Sequence, residues 1–237
     1  MSNTLPERIE GLNWEGIQAE LDEHGYAVVR KLLLPEECTA IIDTYQEEAR
    51  FRNTINMARH RFGIGEYKYY QAPPPELLQQ LREGFYPGLA LTANRWLARL
   101  GSEERYPAQL DDFLAECHAQ GQRRSTPLIL KYEEGGYNCL HQDLYGDVFF
   151  PFQVVFVLNE KETDYTGGEF LLVEQRPRAQ SRGHVITLEQ GSGLIFPTHH
   201  RPVMGTRGFY RTMLRHGVST ITSGTRYSLG IIFHDAK

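Results

Sequence analysis

His141 and Asp143 stand two residues apart at the end of the segment Tyr132-Glu-Glu-Gly-Gly-Tyr-Asn-Cys-Leu-His-Gln-Asp143. On a strand, residues so spaced leave the same face, and both groups are expected to point into the protein together. A carboxylate buried without a partner is costly, and a metal supplies the partner. Two imidazoles and one carboxylate on one side of a metal leave coordination positions open, a donor set that suits non-haem Fe(II) binding a co-substrate and O₂. The third ligand must come from the remaining histidines. His216, which opens His216-Gly-Val-Ser, is preferred because its segment reads as a strand returning inward before the last hairpin. His199 and His200 are adjacent and would face opposite ways on a strand; His200 is the competitor that spacing leaves open.

Ten residues beyond His216 lies Arg226-Tyr-Ser228. A guanidinium there can hold a dicarboxylate through a bidentate, charge-assisted pair. Arg226 and Ser228 share one face of the last expected strand, with Tyr227, Leu229, Ile231 and Phe233 on the other. Tyr132, nine residues before His141, offers a phenol to the same anion. Each group has a plainer role available: a satisfied core histidine, an arginine in a surface salt bridge, a packed tyrosine. Their order along strand-like segments is what favours a metal beside an anion site.

The segments that would carry these groups read as short strands from Pro127 onward, at 128–133, 138–144, 152–158, 169–174, 184–188, 193–196, 213–220 and 226–234. Eight short strands punctuated by Gly, Pro and Asn predict a jelly roll of two facing antiparallel sheets. The preceding residues read as helices: 14–24 stopped by Gly25, one opened by Pro35, one after the prolines at 73–75, then 87–100 and 107–120. The stretch 51–72 reads as irregular, with Arg52, Arg59, Arg61 and Lys68 interleaved among Phe62, Tyr67, Tyr69 and Tyr70. It is expected to form a lid over the mouth of the fold; a surface that tracks phosphates and stacks bases is the minority reading. The expectation is thus a mainly β fold with α, a double-stranded β-helix (jelly roll) braced by N-terminal helices. It would be one domain over 1–237, with a helical and lid portion at 1–126 and a catalytic core at 127–237.

Composition narrows the partners. The formal net charge of -5 over 237 residues argues against a uniformly basic nucleic-acid binder. The charge is uneven, however: residues 1–50 carry a net of -7 and residues 176–215, with seven arginines against Glu189, a net of +6. An anionic ligand therefore remains an expected partner. Three scattered cysteines, Cys38, Cys117 and Cys139, favour reduced thiols and a cytoplasmic protein. No apolar run approaches the roughly 18 residues of a membrane span.

The pattern resembles the Fe(II)/2-oxoglutarate dioxygenase superfamily over residues 127–235, with H-x-D, a distal His and an Arg about ten residues beyond it. The segments 132–143 and 216–228 also resemble nucleic-acid dealkylases of the AlkB type. Asp164-Tyr-Thr-Gly-Gly-Glu-Phe170 is similar instead to a turn of prolyl-hydroxylase barrels. The whole chain, including 57–68 and 174–182, most closely resembles a bacterial oxygenase family linked to damaged nucleic acid. Two positions depart from the AlkB pattern: Ile232 stands where those enzymes carry a second Arg, and Leu130 where they carry an Asn. Nucleic acid is accordingly not the favoured substrate. The resemblance implies Fe(II) held by His141, Asp143 and His216, and 2-oxoglutarate held by Arg226 with Ser228 and Tyr132. O₂ would be the oxidant, and a substrate C–H would be hydroxylated with release of succinate and CO₂. Protein or prolyl hydroxylation and oxidative dealkylation of damaged nucleic acid are the rivals among enzymes; a non-catalytic metal-binding jelly roll is the rival from another class, and it gives no reason for a dicarboxylate anchor at Arg226.

Overall fold

The computed structural model describes residues 4–143 and 146–237. Its helices are α1 (Leu5–Glu10), α2 (Trp14–His24), α3 (Pro35–Asp43), α4 (Met57–His60), α5 (Glu76–Arg99) and α6 (Leu110–Ala119). The strands of the first half are β1 (Ala27–Val29), β2 (Phe51–Asn56), β3 (Gly63–Ile64) and β4 (Glu66–Tyr70). The second half supplies β5 (Leu128–Glu133), β6 (Tyr137–His141), β7 (Phe152–Val157), β8 (Tyr165–Gly167) and β9 (Phe170–Gln175). It continues with β10 (Arg182–Ile186), β11 (Gly193–Pro197), β12 (His200–Gly205), β13 (Gly208–Val218) and β14 (Ile221–Ile232).

Two antiparallel sheets face each other without closing into a barrel. One runs β1-β11-β7-β14-β5-β4-β2, with β8 on β14; the other runs β10-β9-β13-β6-β3, with β12 on β13. Alternation along the strands divides the apolar residues between two cores. On β7 and β14, Val154, Phe156, Leu229 and Ile231 face outward and pack with Phe85, Leu89 and Trp96 of α5. Their alternates face the second sheet, where Val157, Leu194 and Phe196 meet Phe170, Leu172 and Leu214. The jelly roll braced on one sheet by the N-terminal helices, expected from the strand texture, is the architecture found.

Three expectations are corrected. Residues 87–100 are not a separate helix, because α5 runs unbroken through Pro87. Proline removes one amide hydrogen bond, but the helix is buried on both sides of it, and packing outweighs the local cost. Gly84 and Gly88 flank Pro87 and admit close neighbours: a Cβ on Gly88 would lie 2.4 Å from the Trp14 ring, and one on Gly84 2.9 Å from Ile9. The helix-breaking residues are thus the seat of α1 and the start of α2. Second, the stretch 51–72 is a hairpin rather than irregular chain. β4 pairs with β5 and so extends the larger sheet, which buries Lys68 and Tyr70 on the helix side. There the Lys68 ammonium lies over the Tyr45 ring at 4.3 Å and pairs with Glu48. The tip of the hairpin is exposed, and it is pinned: the Cys139 amide donates to the Phe62 carbonyl at 2.8 Å, and Gly63 pairs with Asn138. Third, the strand expected over 138–144 ends at His141; its last residue, Leu144, lies outside the described residues. Among the described residues no helix is long and apolar enough to cross a membrane.

Candidate metal and anion site

A cavity of about 380 Å³ opens between the sheets. Its floor is the inward face of the larger sheet, arranged in rows by strand register. Tyr132 of β5 lies beside Arg226 of β14; one row on, Leu130 pairs with Ser228, and in the next Leu128 pairs with Gly230. β4 extends these rows with Tyr67 and Tyr69. His141, Asp143 and His216 line the wall opposite.

One ligand atom from each of His141, Asp143 and His216 can be chosen so that all lie within 4.8 Å of one another. His141 and His216 are cross-strand partners on β6 and β13. Asp143 joins them from just past the end of β6, so the expected route, both side chains leaving one strand face, is not how they meet. The His216 Nε2 lies 3.1 Å from Asp143 Oδ2, and the His141 Nε2 3.5 Å from Oδ1. His141 Nδ1 donates to the Cys139 carbonyl at 2.8 Å, which leaves Nε2 as the free donor atom, as in most histidine metal ligands. His216 is stacked against Phe170 and edged by Phe196. Burial opposes charge on Asp143, but the two imidazoles, His216 foremost, outweigh it and hold the carboxyl well below its usual range. Burial keeps His216 below its ordinary value in spite of Asp143. For His141 burial is outweighed by the hydrogen bond and charge of Asp143, so its value is raised. An ionised carboxylate beside imidazoles with open nitrogens has the chemistry of a metal donor set.

His200, the competitor, is not in this cluster. Its Nδ1 lies 3.0 Å from that of His199, and burial, then the charges of His199 and Arg211, push it down to about 4.

Arg226 is 1% exposed. Its Nη1 donates to Ser228 Oγ at 3.2 Å, its Nε has no partner, and the rings of Tyr132 and Tyr165 lie 5.8 and 5.9 Å from the guanidinium carbon. No carboxylate pairs with it among the described residues. A buried cation lacking an anion is strongly destabilising, so the cradle fits a carboxylate delivered by a ligand. The Tyr132 hydroxyl accepts from Asn138 Nδ2 at 3.3 Å, and burial raises the phenol to about 12, keeping it protonated and able to donate. All six residues singled out in the sequence therefore border one cavity.

Several neighbours escaped the sequence reading. Asn138 lines the cavity, and so do Tyr67 and Tyr69, which were expected in a lid and stand here on an extension of the sheet. Gln153 is buried on β7 and donates to Asp143 Oδ2 at 2.8 Å; a lone glutamine in the otherwise apolar FQVVFV was the available signal. The basic stretch 176–215 is partly internal, since Arg201 and Arg176 both pair with the buried Glu174. Arg178, Arg182, Arg207, Arg211 and Arg215 are exposed and form no ion pair among the described residues.

Residues 65–236 match the Oxygenase-NA family, described as an oxygenase catalysing oxidative methylation of damaged DNA. An uncharacterised protein of Mycobacterium tuberculosis is 55% identical over 167 residues, covering 70% of this chain and 72% of its own. A prolyl-4-hydroxylase of Pseudomonas putida superposes with a TM-score of 0.58 at 15% identity, over 94% of this chain and 99% of its own. A prolyl hydroxylase of Trichoplax adhaerens, solved with a hypoxia-inducible-factor peptide, gives 0.58 at 15% over 98% and 93%. At that identity the two structures establish the fold.

Proposed function

The chain belongs to the Oxygenase-NA family; from that premise we propose that it is an Fe(II)/2-oxoglutarate dioxygenase in which His141, Asp143 and His216 hold the iron, Arg226 anchors the co-substrate, and a C–H bond is hydroxylated. The observation that carries the residue assignments is the buried Arg226, without a carboxylate partner among the described residues and in the same cavity as the cluster.

Iron with bound 2-oxoglutarate and O₂ supplies the oxidant, and succinate and CO₂ are the co-products. The protein's part is placement and dryness. The Arg226 guanidinium receives the distal carboxylate as a fork, and Ser228 and Tyr132 hold hydroxyls beside it. Phe170 and Phe196 pack the His216 ring in place and keep water from that side. Leu128, Leu130 and Val155 give the remaining cavity wall an apolar surface, against which a substrate C–H can sit.

Anaerobic titration with Fe(II) and then 2-oxoglutarate, followed by a substrate screen scored by succinate release, tests this. One metal and one 2-oxoglutarate bound per chain, with succinate formed in air, is the expected outcome. Absence of 2-oxoglutarate binding to the metal-loaded protein would refute it.

A second reading makes the substrate a damaged nucleic acid. The family description favours it, as does the hairpin tip at the cavity mouth, where Phe62 is 47% exposed and stacked on His60 between Arg59 and Arg61. An exposed ring with flanking cations suits a base and its phosphates. Against it stand Ile232 and Leu130, apolar where the AlkB pattern is polar, and both border the cavity.

A further inference from the structure

Gln153 is the one polar side chain on the inward face of β7. In sheet register it sits between Ile232 and Phe196, both apolar. Burying an amide in such surroundings is unfavourable unless it is hydrogen-bonded. Its Nε2 donates to Asp143 Oδ2 at 2.8 Å, across the gap between the sheets. An ionised carboxylate only accepts hydrogen bonds, so the amide must present its NH₂ and not its oxygen. Asp143 lies beyond the end of β6, outside the strand ladder that holds His141. Asp143 therefore depends on side-chain contacts for its orientation, and Gln153 supplies one of them from the opposite sheet.

Resting on the assignment of His141, Asp143 and His216 as iron ligands, we infer that Gln153 is a positioning residue that occupies one oxygen of Asp143, so that the carboxylate gives the metal one oxygen and not two. Carboxylates ligate cations in either mode. With two imidazoles, a one-oxygen carboxylate leaves the positions a chelating co-substrate and O₂ require; a two-oxygen carboxylate fills one of them. Gln153 touches neither metal nor co-substrate in this scheme and acts only through Asp143.

Co(II) is the probe, because its visible absorption responds to its set of ligand atoms. Gln153→Leu removes the donor at similar size, and Gln153→Glu keeps the shape and polarity should the leucine variant fold poorly. Wild type and both variants are titrated with Co(II) and then with 2-oxoglutarate, with His141→Ala as the metal-binding control. Gln153→Leu is expected to bind Co(II) with a visible band that differs from that of wild type, and to bind 2-oxoglutarate more weakly, on the order of the 10- to 100-fold that losing an outer contact to a metal ligand costs in metal affinity or activity. Gln153→Glu, with a second carboxylate beside Asp143, is expected to keep or tighten Co(II) binding while losing 2-oxoglutarate binding. Wild-type spectra and affinities in both variants would overturn the inference and leave the iron assignment standing. Weaker Co(II) binding with an unchanged spectrum would also overturn it, by showing that Gln153 does not control how many oxygens bind. Wild-type protein that binds no Co(II), or His141→Ala that binds it normally, would remove the assignment on which it rests.

Discussion

At the scale of single residues, the cluster separates ligands from bystanders. His141→Ala, Asp143→Ala and His216→Ala each remove one of three donors, and each is expected to lose tight Fe(II) binding and succinate formation. His200→Ala should retain both, since His200 turns toward His199 and away from the cluster. A dead His200 variant beside an active His216 variant would reverse the choice. Arg226→Ala is expected to weaken 2-oxoglutarate binding roughly 10- to 100-fold, the worth of a charged hydrogen bond, while Fe(II) binding stays near wild type. Arg226→Lys should recover part of the loss, since charge persists without the fork. Titration of the metal-loaded variants with 2-oxoglutarate checks both, and unchanged affinity in Arg226→Ala would move the anchor elsewhere.

At the scale of elements, the close approaches along α5 and at the hairpin tip make separate demands. Gly88→Ala drives a methyl into the Trp14 ring, and overpacking of that kind costs about 1–3 kcal/mol. Urea unfolding should show the loss, and a midpoint equal to wild type would mean that α2 shifts freely. At the tip, Phe62→Ala with Arg61→Glu should leave Fe(II) and 2-oxoglutarate binding unchanged, because neither residue belongs to the His141, Asp143 and His216 cluster. If nucleic acid is the substrate, the same pair should abolish salt-sensitive binding of a single-stranded oligonucleotide; measurable binding that the pair leaves intact would place the contact elsewhere. These elements also mark where the sequence was readable. β5 was legible to its ends, because alternation and flanking turns specify a strand locally, and the shared face of Arg226 and Ser228 was legible because they alternate along β14. The hairpin was not: Tyr67, Lys68, Tyr69 and Tyr70 look alike in sequence, and only pairing with β5 sends alternate rings to cavity and core. Nor was the continuity of α5 legible, since Pro87 signals a break and the packing of α1 that overrides it is non-local. Asp143 was identified for a partly mistaken reason, the expected strand stopping short of it.

At the scale of the whole molecule, buried histidines set the response to acid. His234 is fully buried, its Nδ1 accepts the Phe150 amide, its Nε2 has no partner, and burial pushes it down to about 4. Below the unfolded value of about 6.5 the unfolded chain takes up a proton that the folded chain refuses, so stability falls as pH drops from there toward 4. A depression of that size corresponds to roughly 3 kcal/mol at the lower limit. His200 pulls the same way; His141, held above its usual value, opposes them near neutrality. Asp143 adds its own loss only below the ordinary carboxylate range. Urea midpoints of the metal-free protein at pH 7 and pH 4.5 should therefore differ, and His234→Gln should narrow the gap; an equal gap would assign the acid response to other groups. Strand order carries one more consequence. β14, which follows the other described strands in sequence, lies in the middle of the larger sheet, between β7 and β5. While the polypeptide is being synthesised, β5 with the hairpin and β7 with β11 and β1 are two half-sheets whose inner edges wait for the same absent neighbour. Arg226 and Ser228 travel on that neighbour, and His216 precedes it by a few residues. The nascent chain therefore cannot offer a finished pocket to a passing metal ion until β14 has emerged, and folding and loading become possible at almost the same moment.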